Sequence, residues 1–166
     1  MTHTQFAKAL AAPAARHGGQ RLTDLQSYGL CLLCGSGGPP QVLPDSCCAS
    51  CGSPLAQPPL IDQATPQALG RRAALRRERD HLASMQVGWP STDYAVRWRD
   101  LSLTGLSIMA ERSVDIGVVI RVTDGGVDAL AQVVECRHQG ALRSIHARLL
   151  RVRFVQTSGV FFSAKA

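Results

Sequence analysis

Six cysteines stand in this chain of 166 residues, and five of them fall between positions 31 and 51. Cys31, Cys34, Cys48 and Cys51 form two C-x2-C pairs, and a glycine follows each pair, Gly35 and Gly52. Two intervening residues let both sulfurs of a tight turn face one ion. The glycine lets the backbone curl until its N–H groups point at the thiolates. Two such turns supply the tetrahedral S4 shell that zinc prefers, and iron accepts the same four ligands. With every coordination position filled by protein, none remains for water or substrate. The expected ion, Zn2+, is therefore structural rather than catalytic. A redox dithiol and a metal-free remnant are the other readings of the pattern. Cys47 adjoins Cys48 and would leave a wider spacing to Cys51, so Cys48 is the expected ligand. Cys136 stands far from the cluster, in a predicted strand, and reads as a small buried side chain.

A second group of residues suits a phosphorylated purine. Arg71, Arg72, Arg76, Arg77 and Arg79 crowd a short run, and Asp100, Ser102 and Gly105 follow, with 24 positions from Arg76 to Asp100. Several guanidinium groups on one segment can clamp phosphates in bidentate fashion and stack on purine faces. A carboxylate accepts from the N1–H and N2–H2 edge of guanine. Ser102, two residues beyond Asp100, would point to the same side in a strand. Gly105 would let the chain turn or bulge beside a bulky ligand.

Over roughly residues 70–163 the chain resembles the PilZ family. That family's signature is R-x3-R followed, some twenty-odd residues later, by [D/N]-x-S-x-x-G on a β-barrel. Arg72, Arg76, Asp100, Ser102 and Gly105 match it residue by residue. The segment over 29–55 resembles a zinc ribbon. The PilZ resemblance implies binding of the bacterial second messenger cyclic di-GMP. The arginines, Arg71 and Arg77 included, would hold phosphate and guanine, and Asp100 and Ser102 would read a guanine edge. It implies a receptor or adaptor that relays ligand binding to an effector protein.

These groups need a β scaffold to position them. Short β-prone runs recur over 84–89, 94–102, 105–110, 117–123, 127–138, 142–155 and 160–163, separated by turn residues. Asp124-Gly125-Gly126 reads as a hairpin turn, because glycine accepts the positive φ such turns use. Arg151 and Arg153 alternate with Leu150, Val152 and Phe154, as in a strand with one wet face. The dense basic run over 70–82 suits a helical face or an exposed loop. The expected fold is all-β: a segment over 1–28 with a short helix over 4–16, a zinc-ribbon module over 29–55, a linker over 56–69, and a PilZ-like antiparallel β-barrel over 70–166.

Composition narrows the functional classes. A formal charge of +6 favours an anionic partner. Apolar residues make up 45%, enough for a packed core. No apolar run approaches the roughly 18–20 residues of a membrane span. The Ala-rich stretch over 6–15 carries Lys8 and Pro13 and makes a poor secretory signal, so a cytoplasmic location is expected. Catalysis is not expected: His3, His17, His81, His138 and His146 form no pattern with a nucleophile, and no phosphate-binding glycine-rich loop occurs. Trp89 and Trp98 read as barrel core or rim. Nucleic-acid binding and a ligand-free adaptor role are the alternatives. The former is disfavoured because the basic residues concentrate over 71–79 instead of alternating with aromatics along several strands.

Overall fold

The computed structural model describes residues 29–59 and 77–155. The helix expected over 4–16, the strand expected over 160–163, and Arg71, Arg72 and Arg76 lie outside the described residues.

Six antiparallel strands build the larger part: β1 (Arg77–Val87), β2 (Tyr94–Leu101), β3 (Gly105–Ala110), β4 (Val119–Thr123), β5 (Val127–Gln139) and β6 (Leu142–Phe154). They close into a barrel in the order β1-β2-β3-β6-β5-β4, with β1 and β4 forming the seam. The all-β, closed antiparallel architecture expected from the strand spacing is the one adopted, and no helix occurs among the described residues. Alternation sets the inward faces. Val96 and Trp98 of β2, Leu106 and Ile108 of β3, Ile120 and Val122 of β4, and Ile145 of β6 meet in one core.

Strand β1 departs from expectation. It starts at Arg77, within the basic run, instead of near residue 84. Its first residues show no apolar alternation, because here the strand is held by neighbours more than by its own pattern. Arg77 pairs with Leu101 and Glu78 with Asp100, and the register then shifts before His81 meets Trp98. The irregularity contains Asp80, at φ 35°, which aspartate tolerates better than most residues. Its carboxylate takes two hydrogen bonds from Arg97, at 2.6 and 3.0 Å. The helical face or loop suggested for this run is thus replaced, from Arg77 onward, by bulged strand.

The hairpin at Asp124 forms, though for a different reason from the one expected. Neither Gly125 nor Gly126 has a positive φ. The Asp124 carboxylate instead accepts the N–H groups of Gly126 and Val127 at 2.7 and 2.6 Å, and its own N–H bonds to the Val127 carbonyl.

The cysteine segment packs on the outside of the barrel. The first five residues of β5 are all buried, which alternation alone would not produce. Ala129 and Ala131 face the barrel core, while Leu130 joins Leu32, Leu33, Leu55 and Leu150 in a second cluster around the cysteines. A bulge between β5 and β6 makes this possible: Leu130 meets Arg151 and Ala131 meets Leu149, so Leu149 turns inward and Leu150 outward.

Candidate functional site

The two cysteine turns are built alike. Cys31 N–H bonds to Ser36 O and Gly35 N–H to Cys31 O, each at 2.8 Å. Cys48 N–H to Ser53 O and Gly52 N–H to Cys48 O repeat the pattern at the same distance. Gly35 and Gly52 sit at φ 75° and 69°, where a side chain would be strained. The sulfurs of Cys31, Cys34, Cys48 and Cys51 lie within 4.8 Å of one another. Cys31 and Cys51 are 3.6 Å apart and Cys34 and Cys48 3.5 Å. Four sulfurs at about 2.3 Å from a tetrahedral centre stand about 3.8 Å apart, so the donor set fits one metal ion. Cys47 is outside the set, with its thiol directed at the Asp45 carbonyl. Cys136 packs partly buried against the barrel core.

Serines complete the pocket. Ser53 is fully buried, and its hydroxyl lies 3.1 Å from both Cys31 and Cys51 sulfurs. Ser36 stands 3.3 Å from Cys34. The repeat is therefore Cys-Gly-Ser in both turns, a signal present in the sequence beyond the glycine. Burial of the thiols pushes Cys51 up to about 12 and raises Cys31. Burial also opposes ionisation at Cys34, but hydrogen bonds centred on Ser36 outweigh it and bring that thiol down to about 7. A bound cation would remove the conflict by favouring thiolate at all four positions.

One barrel side chain grips the second turn. Arg121 of β4 donates to the carbonyls of Cys51 and Gly52 at 3.0 and 2.9 Å, and binds Asp128 of β5 with two bonds at 2.9 and 2.8 Å. Asp128 is 3% exposed and takes a longer contact from Arg153 of β6 at 3.4 Å. Hydrogen bonding to Asp128 raises the Arg121 pKa further. Sequence reasoning missed this node, since nothing local links residue 121 to residues 51 and 128.

The Asp100–Gly105 segment forms the β2–β3 turn. Ser102 lies just past β2, is 1% exposed, and accepts the N–H groups of Thr104 and Gly105 at 3.3 and 3.1 Å. Its hydroxyl also meets the Gly105 carbonyl at 3.1 Å, so its hydrogen-bonding capacity is taken up by the turn. Gly105 does not have a positive φ. A Cβ there would stand 2.7 Å from the Ala147 carbonyl of β6, so glycine is required by strand contact. Asp100 is half-buried. Leu101 belongs to the core, so alternation directs Asp100 to the barrel's outer face. Its neighbours in register are Glu78 of β1 and Ser107 of β3, and its carbonyl accepts the Trp98 indole N–H at 3.0 Å.

The remaining basic and aromatic candidates separate clearly. Arg79 bonds Asp124 at 2.8 Å and lies over the Trp98 ring at 5.2 Å. His81 bonds the same carboxylate at 2.6 Å and the Arg79 carbonyl at 2.8 Å. The pair bridges from β1 to the β4–β5 turn beyond the last seam pairing, Ser84 with Thr123. Burial works against the Asp124 carboxylate, but His81, the turn N–H groups and Arg79 together hold its pKa below the usual value. Trp98 is fully buried and Trp89 lies partly exposed before a cis proline, Pro90.

No protein-family model matches this chain, and neither does any curated protein. Among solved structures it is similar to the PilZ domain with c-di-GMP of YcgR from Escherichia coli, at 23% identity and a TM-score of 0.35. The match covers 54% of this chain and 81% of that one.

Proposed function

We propose that this chain is a non-catalytic cytoplasmic receptor for cyclic di-GMP. Arg71, Arg72, Arg76 and Arg77 clamp phosphate and guanine, and Asp100 reads the N1–H and N2–H2 edge of one base. Ser102 and Gly105 shape the turn that presents Asp100. The observation that carries this reading is the register of β1 on β2. Arg77 pairs with Leu101 and Glu78 with Asp100, so the start of β1, at the end of the arginine-rich run of the sequence, lies alongside Asp100. Guanidinium groups together with a carboxylate suit a ligand that carries phosphate and guanine.

Zn2+ is the proposed ion of the cysteine site, with a structural role. The module over 29–55 and the barrel over 70–166 are joined by a linker over 56–69 that leads into the arginine segment. Ligand binding changes the surface offered to an effector protein beside the metal module.

Titration calorimetry of the metal-loaded chain with cyclic di-GMP tests the proposal. Binding is expected, and Arg76→Ala and Asp100→Ala should each weaken it by about 1–3 kcal/mol, the range for a lost charge-assisted hydrogen bond. An absence of heat at tens of micromolar overturns the ligand. Full affinity in both variants overturns the site.

A further inference from the structure

A row of polar side chains on the barrel's outside lies beyond the signature turn. Leu101 of β2, Leu106 and Ile108 of β3, and Ile145 and Ala147 of β6 all belong to the inner core. Alternation therefore turns Asp100, Ser107 and His146 outward. The register sets them abreast, Asp100 facing Ser107 and Ser107 facing His146. Strands about 4.8 Å apart make this row about 10 Å long, a span comparable to one purine with its hydrogen-bonding partners.

The middle of the row is unusual. Ser107 is 4% exposed, yet among the described residues its hydroxyl has no hydrogen-bond partner. A recessed polar group without a partner marks a place where a ligand or water completes the bonding. His146 has one ring nitrogen 3.1 Å from the Ser144 hydroxyl, and its other nitrogen has no partner among the described residues. The row thus runs from an acceptor at Asp100 to donor-capable groups at Ser107 and His146.

We infer that Ser107 and His146 contact the acceptor edge of the guanine whose donor edge faces Asp100, with His146 as the specificity-determining group. The inference rests on the cyclic di-GMP reading above. Guanine offers O6 and N7 as acceptors next to its N1–H and N2–H2 donors, whereas adenine places an amino donor at position 6. An imidazole N–H opposite that position favours guanine and would meet adenine donor to donor, while the Ser107 hydroxyl, which both donates and accepts, anchors the base without choosing between the two. A site built to pair a polar group rejects a ligand that leaves it unpaired.

The test is calorimetric titration of the full metal-loaded chain with cyclic di-GMP and, separately, cyclic di-AMP, using wild type, Ser107→Ala, His146→Ala and His146→Gln. Wild type should prefer the guanine ligand by roughly 100-fold or more, as expected when a mispaired polar group is buried. His146→Ala should lose about 10-fold in affinity for cyclic di-GMP and much less for cyclic di-AMP, so that selectivity narrows, while Ser107→Ala should lose about 10-fold for cyclic di-GMP with selectivity little changed. His146→Gln, which keeps a donor, should recover part of the loss. The imidazole nitrogen resonances of His146, assigned by their disappearance in His146→Gln, should move when cyclic di-GMP is added to wild type. Wild-type binding with unchanged affinity in Ser107→Ala, unchanged selectivity in His146→Ala and a silent His146 ring overturns this inference and leaves the ligand reading standing. No binding by wild type overturns both.

Discussion

The four-cysteine site and the Asp100–Gly105 turn use the same small residues for opposite purposes. In the cysteine turns glycine is required by its backbone angles, at φ 75° and 69°, and the following serine points its hydroxyl at sulfur. In the β2–β3 turn glycine is required because β6 passes too close for a Cβ, and serine spends its hydroxyl on the turn's own backbone. The first region is complete within 21 residues, its four donors facing one another across a buried point. The second takes its neighbours from other strands, Glu78 of β1 beside Asp100 and Ala147 of β6 beside Gly105, and depends on the barrel to bring them together. A short spacing pattern can therefore describe a binding site in one place and mostly a fold in another.

The largest expected effect comes from removing the Zn2+ proposed for the cysteine site. Structural zinc contributes on the order of 10–16 kcal/mol of apparent binding free energy in small peptides. Chelation, or Cys51→Ser, should therefore dismantle the module and uncover Leu130 and Leu150. Elemental analysis should find one metal ion per chain, retained in Cys47→Ser. A chelated chain whose urea midpoint equals that of the loaded chain would break the contrast, since the module would then be no more dependent on its centre than the turn is.

Arg121→Ala should come next, at about 3 kcal/mol, because it leaves Asp128 buried without its main partner and releases two carbonyls of the second cysteine turn. Denaturant unfolding measures the loss. Amide exchange should show faster opening around Gly52 than around Gly35, which sharpens the distinction between a turn gripped by Arg121 and one that rests on apolar contact with the barrel.

Gly105→Ala should cost about 1–3 kcal/mol by overpacking against Ala147. Ser102→Ala should cost about 1 kcal/mol through the lost turn bonds. Thermal melts with no ligand present are the measurement. If both variants melt like wild type, the turn's serine and glycine are not there for the fold, and their reading as ligand residues gains.

The smallest effect concerns pH. The folded-state pKa of Asp124 lies below its unfolded value of 3.8, so its ionised form contributes stability above about pH 4, lost as pH falls through the depressed folded value. Asp124→Asn, which keeps an oxygen for the turn N–H groups, should lower stability near neutrality by about 0.5–1 kcal/mol and flatten the acid limb of the stability–pH curve. An acid limb identical to wild type would show that the seam node around Arg79 and His81 contributes nothing through that charge.

Much of the barrel is legible in the amino-acid sequence. The bounds of β3 and most of β2, β5 and β6 follow from apolar alternation and turn residues, because those strands have one inward face each. The start of β1 is not legible. Arg77-Glu78-Arg79-Asp80-His81 carries no alternation, and it is strand only because β2 supplies partners and Arg97 neutralises Asp80. The Asp124 turn is legible as a turn but not in its cause, since a carboxylate cap and a left-handed glycine leave similar marks in a sequence. Ser107 and His146 look unremarkable in the chain, and their alignment with Asp100 exists only across three paired strands.

By itself the sequence determined the cysteine turns, down to which of two adjacent cysteines joins the sulfur cluster, because every constraint there acts within a few residues of backbone. Tertiary structure decided what those turns rest on and which groups surround the signature residues. Leu130 and Leu150 are buried outside the barrel because a bulge sends Leu149 one way and Leu150 the other. Arg121 reaches from β4 to the carbonyls of Cys51 and Gly52 only once the barrel has closed. Strand alternation tells a residue which face it is on. It does not say which strand lies alongside, and that pairing is what sets Arg77 and Glu78 beside Leu101 and Asp100.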